Sequence, residues 1–96
     1  MPWVQIQKAT QASWDDYERV QQVLGEDPPP GLVYHAAGTQ PNGRWEAITV
    51  WESREDFNRF REERLLSAVQ QALGDQMLQQ GPPPEEWFEA KHVIAG

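Results

Sequence analysis

Apolar residues recur at alternate positions on both sides of residues 41–43, Pro-Asn-Gly, and this pattern predicts two strands joined by a tight turn. Asn-Gly supplies the positive φ angles that a two-residue hairpin loop requires. With that loop, His35 pairs with Val50 and Tyr34 pairs with Trp51. Side chains alternate between the two faces of a strand. Tyr34 and Trp51 are therefore predicted to share one face, and His35 and Val50 the other.

Both faces of this predicted hairpin are largely apolar. An antiparallel sheet with one face in water normally shows polar residues on that face. We therefore expect helices to cover one face and a second copy of the chain to cover the other.

Two helices are predicted, each opening with serine and with aspartate three residues later, as in a capping box. The first begins after Ser13, carries apolar residues at helical spacing and ends at Gly25. The second begins after Ser53 and is predicted to end at Gly74. Its apolar stripe changes phase near Leu65, which indicates a bend or a restart.

Shorter patterns complete the chain: residues 3–8 and 87–94 are predicted as strands, and residues 75–86 as loop. The two serine-capped helices lie 40 positions apart (13 to 53), and each follows a strand that contains tryptophan. The chain therefore reads as βαβ twice. Residues 1–96 are predicted to form one α+β domain of ferredoxin-like βαββαβ topology, a four-stranded antiparallel sheet in the order 4-1-3-2 with both helices on one face.

Composition narrows the classes of function. The chain has 96 residues, no cysteine and a net charge of −7, with 8 basic and 15 acidic residues. A negative field repels nucleic acid and anionic membranes, and no apolar run is long enough for a membrane helix. We therefore expect a cytoplasmic protein with no nucleic-acid or membrane partner. A domain this small, without disulfides, favours a homodimer.

The hairpin and the second helix together resemble the dimeric α/β-barrel superfamily that includes the antibiotic-biosynthesis-monooxygenase-like (ABM-like) proteins. A strand that ends in Trp-Glu-Ser and caps the next helix is frequent in that superfamily. The residues that carry the resemblance are Gly31–Gly38, Gly43–Trp45, Val50–Ser53, Asp56, Phe57 and Phe60. The resemblance implies a dimer with a pocket between sheet and helices, and it implies activities that include cofactor-independent oxygenation. Haem-degrading members carry a histidine on the helix after this strand, and residues 51–73 here contain none, so no cofactor is expected.

Candidate catalytic residues are His35, as a general base on a strand, and Arg64, a guanidinium on an apolar stripe that needs an anion, a carbonyl or solvent. Both have structural alternatives: His35 as an interface histidine, and Arg64 as a partner of an acid or of solvent. Two histidines without ligand-spaced acids do not indicate a metal site.

Candidate substrate-binding residues are the aromatic side chains predicted near the helices. Each could instead fill the core or pair with a neighbouring ring. They are Tyr34, Trp51, Phe57 and Phe60.

The hypothesis is a small homodimer, paired through its sheet face, that binds a hydrophobic or aromatic small molecule between sheet and helices. Cofactor-independent monooxygenation of polyketide-like or quinol substrates is the chemistry that the resemblance favours. The alternative is a non-catalytic, dimeric ligand-binding or stress-related module.

Overall fold

A computed structural model describes residues 2–79 and 84–94. Its strands form one antiparallel sheet in the order β2-β3-β1-β4, which confirms the predicted order and the ferredoxin-like α+β fold. The strands are β1 (Trp3–Ser13), β2 (Leu32–Thr39), β3 (Arg44–Trp51) and β4 (Glu85–Glu89); the helices are α1 (Trp14–Leu24), α2 (Arg54–Phe60), α3 (Leu66–Leu73) and α4 (Asp75–Gln79). Within the described ranges, no helix has the length and apolar character needed to cross a membrane.

The first helix begins and ends where its sequence signals lie. Asp16 donates its backbone N–H to Ser13 Oγ at 3.2 Å, and the Asp16 carboxylate accepts the Ser13 N–H at 3.0 Å. Both halves of the capping box are therefore formed. At the other end, Gly25 takes a φ of 80° and donates its N–H to Gln21. The last carbonyls of α1, near Leu24, therefore have no N–H partner within the helix and can accept a hydrogen bond from a residue elsewhere in the chain.

The hairpin loop differs from the predicted two-residue turn. Gly43 donates its N–H to the Gln40 carbonyl at 2.9 Å, and Gln40 donates to the Arg44 carbonyl at 2.7 Å. Among the described residues, only glycines have positive φ, and Gly43 has a φ of 84°. The loop thus has three residues, a type I turn followed by a glycine in the left-handed region. The extra loop residue moves the register by one position.

That shift reverses the faces predicted for β2. His35 pairs with Thr49 instead of Val50, and Tyr34 pairs with Val50 instead of Trp51. The predictions that Tyr34 shares a face with Trp51, and that His35 faces away from it, are therefore wrong. A bulge between Leu32 and Tyr34 then brings Leu32 opposite Trp51. A one-residue slip reverses every side chain because the side-chain period of a strand is two.

The second helical segment explains the predicted change of phase. A π-helical turn, Arg61–Leu65, joins α2 to α3. A π-turn holds more residues than an α-turn, so it rotates the apolar stripe of the following helix. The segment ends at Gly74, as predicted.

Three boundaries differ from the predictions. The first strand extends to Ser13 rather than to residue 8, with an irregular pairing between Lys8 and Ser13. Residues 75–79 form a short helix instead of loop. The last strand is Glu85–Glu89, not 87–94. The rest of the predicted loop includes residues 80–83, which lie outside the described residues.

The sheet has two distinct faces. The face beneath the helices carries the buried aromatic core, and we call it the helix face. Trp3, Trp51 and Phe57 form this core, and Leu32 and Phe60 pack against it. The opposite face, which we call the outer face, carries Val4, Ile6, Tyr34, Ala36, Ile48, Val50 and Phe88. Several of its large apolar side chains are exposed.

Candidate active site

A row of side chains crosses three strands on the helix face and contains polar residues at its centre. His35 of β2 pairs with Thr49 of β3, which pairs with Gln5 of β1. Gln5 is 2% exposed, and Thr49 is also buried. Buried polar groups need hydrogen-bond partners, and the Gln5 amide nitrogen donates to Glu85 Oε2 at 2.5 Å. The centre of the sheet is therefore polar and hydrogen-bonded beneath the helices.

His35 is hydrogen-bonded through both ring nitrogens. The Tyr17 hydroxyl, from the first turn of α1, lies 2.5 Å from Nε2, and Thr49 Oγ1 lies 2.9 Å from Nδ1. Either neutral tautomer satisfies both contacts. In one, Tyr17 donates to Nε2 and Nδ1–H donates to Thr49; in the other, Thr49 donates to Nδ1 and Nε2–H donates to Tyr17. The three groups thus form a chain along which a proton can move. We call Tyr17, His35 and Thr49 the relay.

Partial burial shifts the pKa values of two relay members in opposite directions, although the His35 side chain remains exposed over part of its surface. It lowers the pKa of His35, because desolvation disfavours the imidazolium, and it raises the pKa of Tyr17, because desolvation disfavours the phenolate. Both shifts favour the neutral forms. Near neutral pH the relay therefore holds a neutral imidazole and a protonated phenol.

Aromatic rings surround the Tyr17 end of the relay. The Tyr17 ring stacks on Trp14, with centroids 4.9 Å apart and planes 17° apart, and it contacts Trp45 at 5.6 Å. The Tyr17 and His35 rings lie nearly parallel, 6.1 Å apart. Trp14, Tyr17 and Trp45 are half-buried. A flat aromatic molecule could contact this cluster and reach the Tyr17 hydroxyl.

Trp51, Phe57 and Phe60 lie at the other end of the helix face, in the packed core. Trp51 is 2% exposed, and its ring contacts Phe57 at 5.8 Å and Phe60 at 5.5 Å. The indole N–H groups of Trp3 and Trp51 are buried and meet no acceptor within the described part of the chain. Core packing accounts for all these rings, so their substrate-binding role stays a prediction.

Among the surface depressions bordered by described residues are two that include neither Trp51 nor a member of the relay. One, of about 380 Å³, is lined by Ile6, Ala36, Ala37, Gly38, Thr39, Glu46, Ala47 and Ile48. The other, of about 220 Å³, lies between α1 and α3 beside Arg64. The relay and the two depressions are therefore separate features.

Tyr34 and Arg64 lie away from the relay. Tyr34 is on the outer face and 58% exposed. Arg64 donates through Nη2 to the carbonyls of Leu24 at 3.0 Å and Asp27 at 3.4 Å, and its guanidinium lies over the Phe60 ring, 5.7 Å from its centroid. Of the partners considered for Arg64, an anion, a carbonyl or solvent, the structure shows backbone carbonyls at and just after the end of α1. The catalytic role of Arg64 remains a prediction.

The sequence-based candidates included His35 but neither of its partners. In the sequence Tyr17 falls on the apolar stripe of the first helix, with Val20 and Leu24, and Thr49 lies among apolar residues of a strand, so neither stands out as a partner for His35. A signal for the polar row was available, because Gln5 and Gln7 alternate with Val4 and Ile6 along β1. Among the described residues, no group of three metal-binding side chains comes together.

No protein-family model matches the sequence, and no curated protein matches it. Solved structures do share its fold. A monooxygenase from the gene ActVA-Orf6 of Streptomyces coelicolor, solved with the ligand nanaomycin D, has a TM-score of 0.57 at 15% identity, covering 99% of this chain and 91% of that one. SnoaB, a cofactor-independent oxygenase from Streptomyces nogalater, has a TM-score of 0.55 at 14% identity, covering 99% and 96%. The predicted ABM-like resemblance is confirmed for the fold along nearly the whole chain.

Proposed function

We propose that this protein is a cofactor-independent monooxygenase that acts on an acidic, flat aromatic substrate such as an anthrone-like or quinol compound. The observation that carries the proposal is the relay, in which the His35 imidazole lies within hydrogen-bond distance of the Tyr17 hydroxyl on the helix face. The fold shared with a monooxygenase and with a cofactor-independent oxygenase supports the same reaction class.

In this proposal His35 acts as the base through Tyr17. The substrate gives its proton to Tyr17 Oη while Tyr17 passes its own proton to His35 Nε2, and Thr49 accepts the hydrogen bond from Nδ1–H. The resulting substrate anion is electron-rich and reduces dioxygen. In an anthrone-like substrate the methylene carbon becomes a carbonyl by taking one oxygen atom of dioxygen. The other oxygen atom leaves as water with the two methylene hydrogens, one of which His35 returns through Tyr17. A general base held at hydrogen-bond distance contributes typically about 10²–10⁴-fold to a rate.

The rings around Tyr17 supply the binding surface. Trp14 and Trp45 are half-buried beside the phenol and can stack on a flat substrate. In this arrangement Trp51, Phe57 and Phe60 belong to the packed core at the other end of the helix face and do not contact the substrate. The proposal thus keeps His35 from the sequence-based candidates and adds Tyr17 as the group that contacts substrate.

The test is an aerobic assay of oxygen consumption and product formation with anthrone-like and quinol substrates, preceded by native mass spectrometry of the purified protein for a bound ligand. Tyr17→Phe and His35→Gln should each lower kcat/KM by about 10²-fold or more. Tyr34→Phe is the matched control, since it removes a phenol from the outer face, and it should retain activity. Binding of an aromatic ligand without turnover would instead support the non-catalytic binding module. Turnover that survives in both relay variants would exclude the relay as its base.

We also propose that the protein is a homodimer paired through the outer face. Tyr34, Ile48 and Phe88 are exposed there, although they are large and apolar. Monomers rarely leave such a contiguous apolar surface in water. Sedimentation at micromolar concentration should give twice the 11.0 kDa chain mass. Ile48→Glu should shift the mass toward one chain, whereas Val23→Glu, at an exposed apolar position on α1, should not. A single-chain mass for the unaltered protein would contradict the proposal.

A further inference from the structure

Tyr17 lies between two indole rings, one stacked on it and one tilted against it. Trp14 stacks on it with centroids 4.9 Å apart, and Trp45 lies 5.6 Å away on the same phenol. All three rings are half-buried, so a surface oxidant can reach each of them. Indole and phenol are the side chains that lose a single electron most readily, apart from thiols, and this chain has no cysteine. The three rings therefore offer a path for an electron between Tyr17 and the surface.

The hydrogen bond from Tyr17 to His35 gives the phenol a place to send its proton. A phenol that loses an electron becomes a much stronger acid, so its neutral radical forms readily only where a base accepts the proton. The His35 Nε2 lies 2.5 Å from Tyr17 Oη, and Thr49 holds Nδ1 at 2.9 Å. In the tautomer with hydrogen on Nδ1, Nε2 is free to accept that proton. Tyr17 therefore has both a proton acceptor, His35, and two neighbouring indole rings that can exchange an electron with it.

We propose that Tyr17 is a redox site, at which a one-electron oxidant arriving at the surface, such as an oxygen-derived radical, generates a neutral Tyr17 radical while the phenol proton passes to His35. The oxidant gains one electron and the Trp14–Tyr17–Trp45 set loses one. The Oη–H bond breaks, an Nε2–H bond forms, and His35 becomes the imidazolium. This activity requires no aromatic substrate and is independent of the proposed oxygenation, although a site that reduces dioxygen would also be exposed to such oxidants.

The chain is well suited to a direct test because it contains two tyrosines. The second, Tyr34, lies on the outer face. In Tyr34→Phe, any tyrosyl radical must therefore reside on Tyr17. Pulse radiolysis of the substrate-free protein with azide radicals oxidises tryptophan first, and the transfer of the radical to tyrosine can be followed by transient absorption. Freeze-quenched samples then allow identification by electron paramagnetic resonance.

We expect Tyr34→Phe to convert tryptophanyl to tyrosyl radical in a step whose rate does not depend on protein concentration. Tyr17→Phe, which keeps Tyr34, should lose this rapid step. In the double variant with Tyr34→Phe and His35→Gln, the radical transfer should be slower by about tenfold or more, because the proton acceptor is gone. Exchange into heavy water should slow the step in Tyr34→Phe, since a proton moves with the electron.

Circular dichroism and thermal unfolding of each variant establish that the fold is retained before the rates are compared. Two results would overturn the proposal. One is a rapid step that survives Tyr17→Phe and is lost in Tyr34→Phe, since the radical would then reside on Tyr34. The other is an equal rate of radical transfer in Tyr34→Phe and in the double variant that also carries His35→Gln, both folded. That result would show that the imidazole does not take the proton.

Discussion

Replacing Arg64 with alanine should destabilise the fold by about 2 kcal/mol. Its guanidinium donates to the Leu24 carbonyl, at the last residue of α1, and lies over the Phe60 ring. A hydrogen bond from a charged donor contributes about 1.5–3 kcal/mol, and a cation at a helix C-terminus about 0.3–1 kcal/mol. Because Arg64 is partly exposed and its contacts share one network, we take the lower part of the combined range.

The assay is equilibrium urea unfolding, supported by thermal unfolding. For a domain of this size, 2 kcal/mol corresponds to a fall in Tm of roughly 10 °C. Arg64→Lys should be intermediate, because lysine keeps the charge but not the planar fork. Arg59→Ala is the matched control. Arg59 forms an exposed pair with Asp56 at 3.1 Å, and its loss should cost no more than about 0.5 kcal/mol.

The result distinguishes two roles for Arg64. If the free energy of unfolding of Arg64→Ala lies within about 0.5 kcal/mol of that of the unaltered protein, Arg64 does not stabilise the end of α1. If that stable variant also lost turnover, the catalytic role predicted from the sequence would be supported instead. Loss of stability with retained turnover in the folded fraction would support the structural role.

Two further predictions concern the backbone and the relay. Gly31→Ala should destabilise the fold by more than about 1 kcal/mol, because Gly31 has a φ of 87° and an added Cβ would overlap the Asp56 side chain. The control in the same urea titration is Gly38→Ala, since Gly38 has open space at the Cβ position and no positive φ. His35 has a lowered pKa in the folded state, so the unfolded chain binds more protons as the pH falls through the ordinary histidine range. The stability that this histidine contributes is therefore fully present above its unfolded pKa and is lost as the pH falls below that pKa. Urea titrations over that range should show a smaller loss for His35→Gln than for the unaltered protein; equal losses would contradict the lowered pKa.

The order of elements followed from local signals that the structure confirms. The serine caps at residues 13 and 53 and the glycines at 25 and 74 fix where the two helical segments begin and end. Such caps act within one turn of backbone, so they are readable without tertiary contacts. The change of apolar phase near Leu65 was also readable, and the π-turn at residues 61–65 is its cause.

The partners in space were harder to predict. Arg64 contacts a carbonyl 40 positions earlier, and Tyr17 contacts an imidazole 18 positions later. Neither distance follows from a local pattern, because each depends on how α1 packs against the sheet and against α3. The sequence could identify an arginine that needed a partner and a strand histidine that could titrate. The packing of the helices supplies their actual neighbours.

The face of His35 depended on a single choice of turn, and the signal for the correct choice was present. In the loop that forms, Pro41 is the second residue of a type I turn that starts at Gln40, and Gly43 is the fourth. Proline is favoured at the second position of that turn and glycine at the fourth. Asn-Gly taken alone predicts the two-residue loop, and in that register His35 faces away from α1. Pro41 together with Asn-Gly predicts the three-residue loop. In that register His35 faces α1, where it can contact Tyr17.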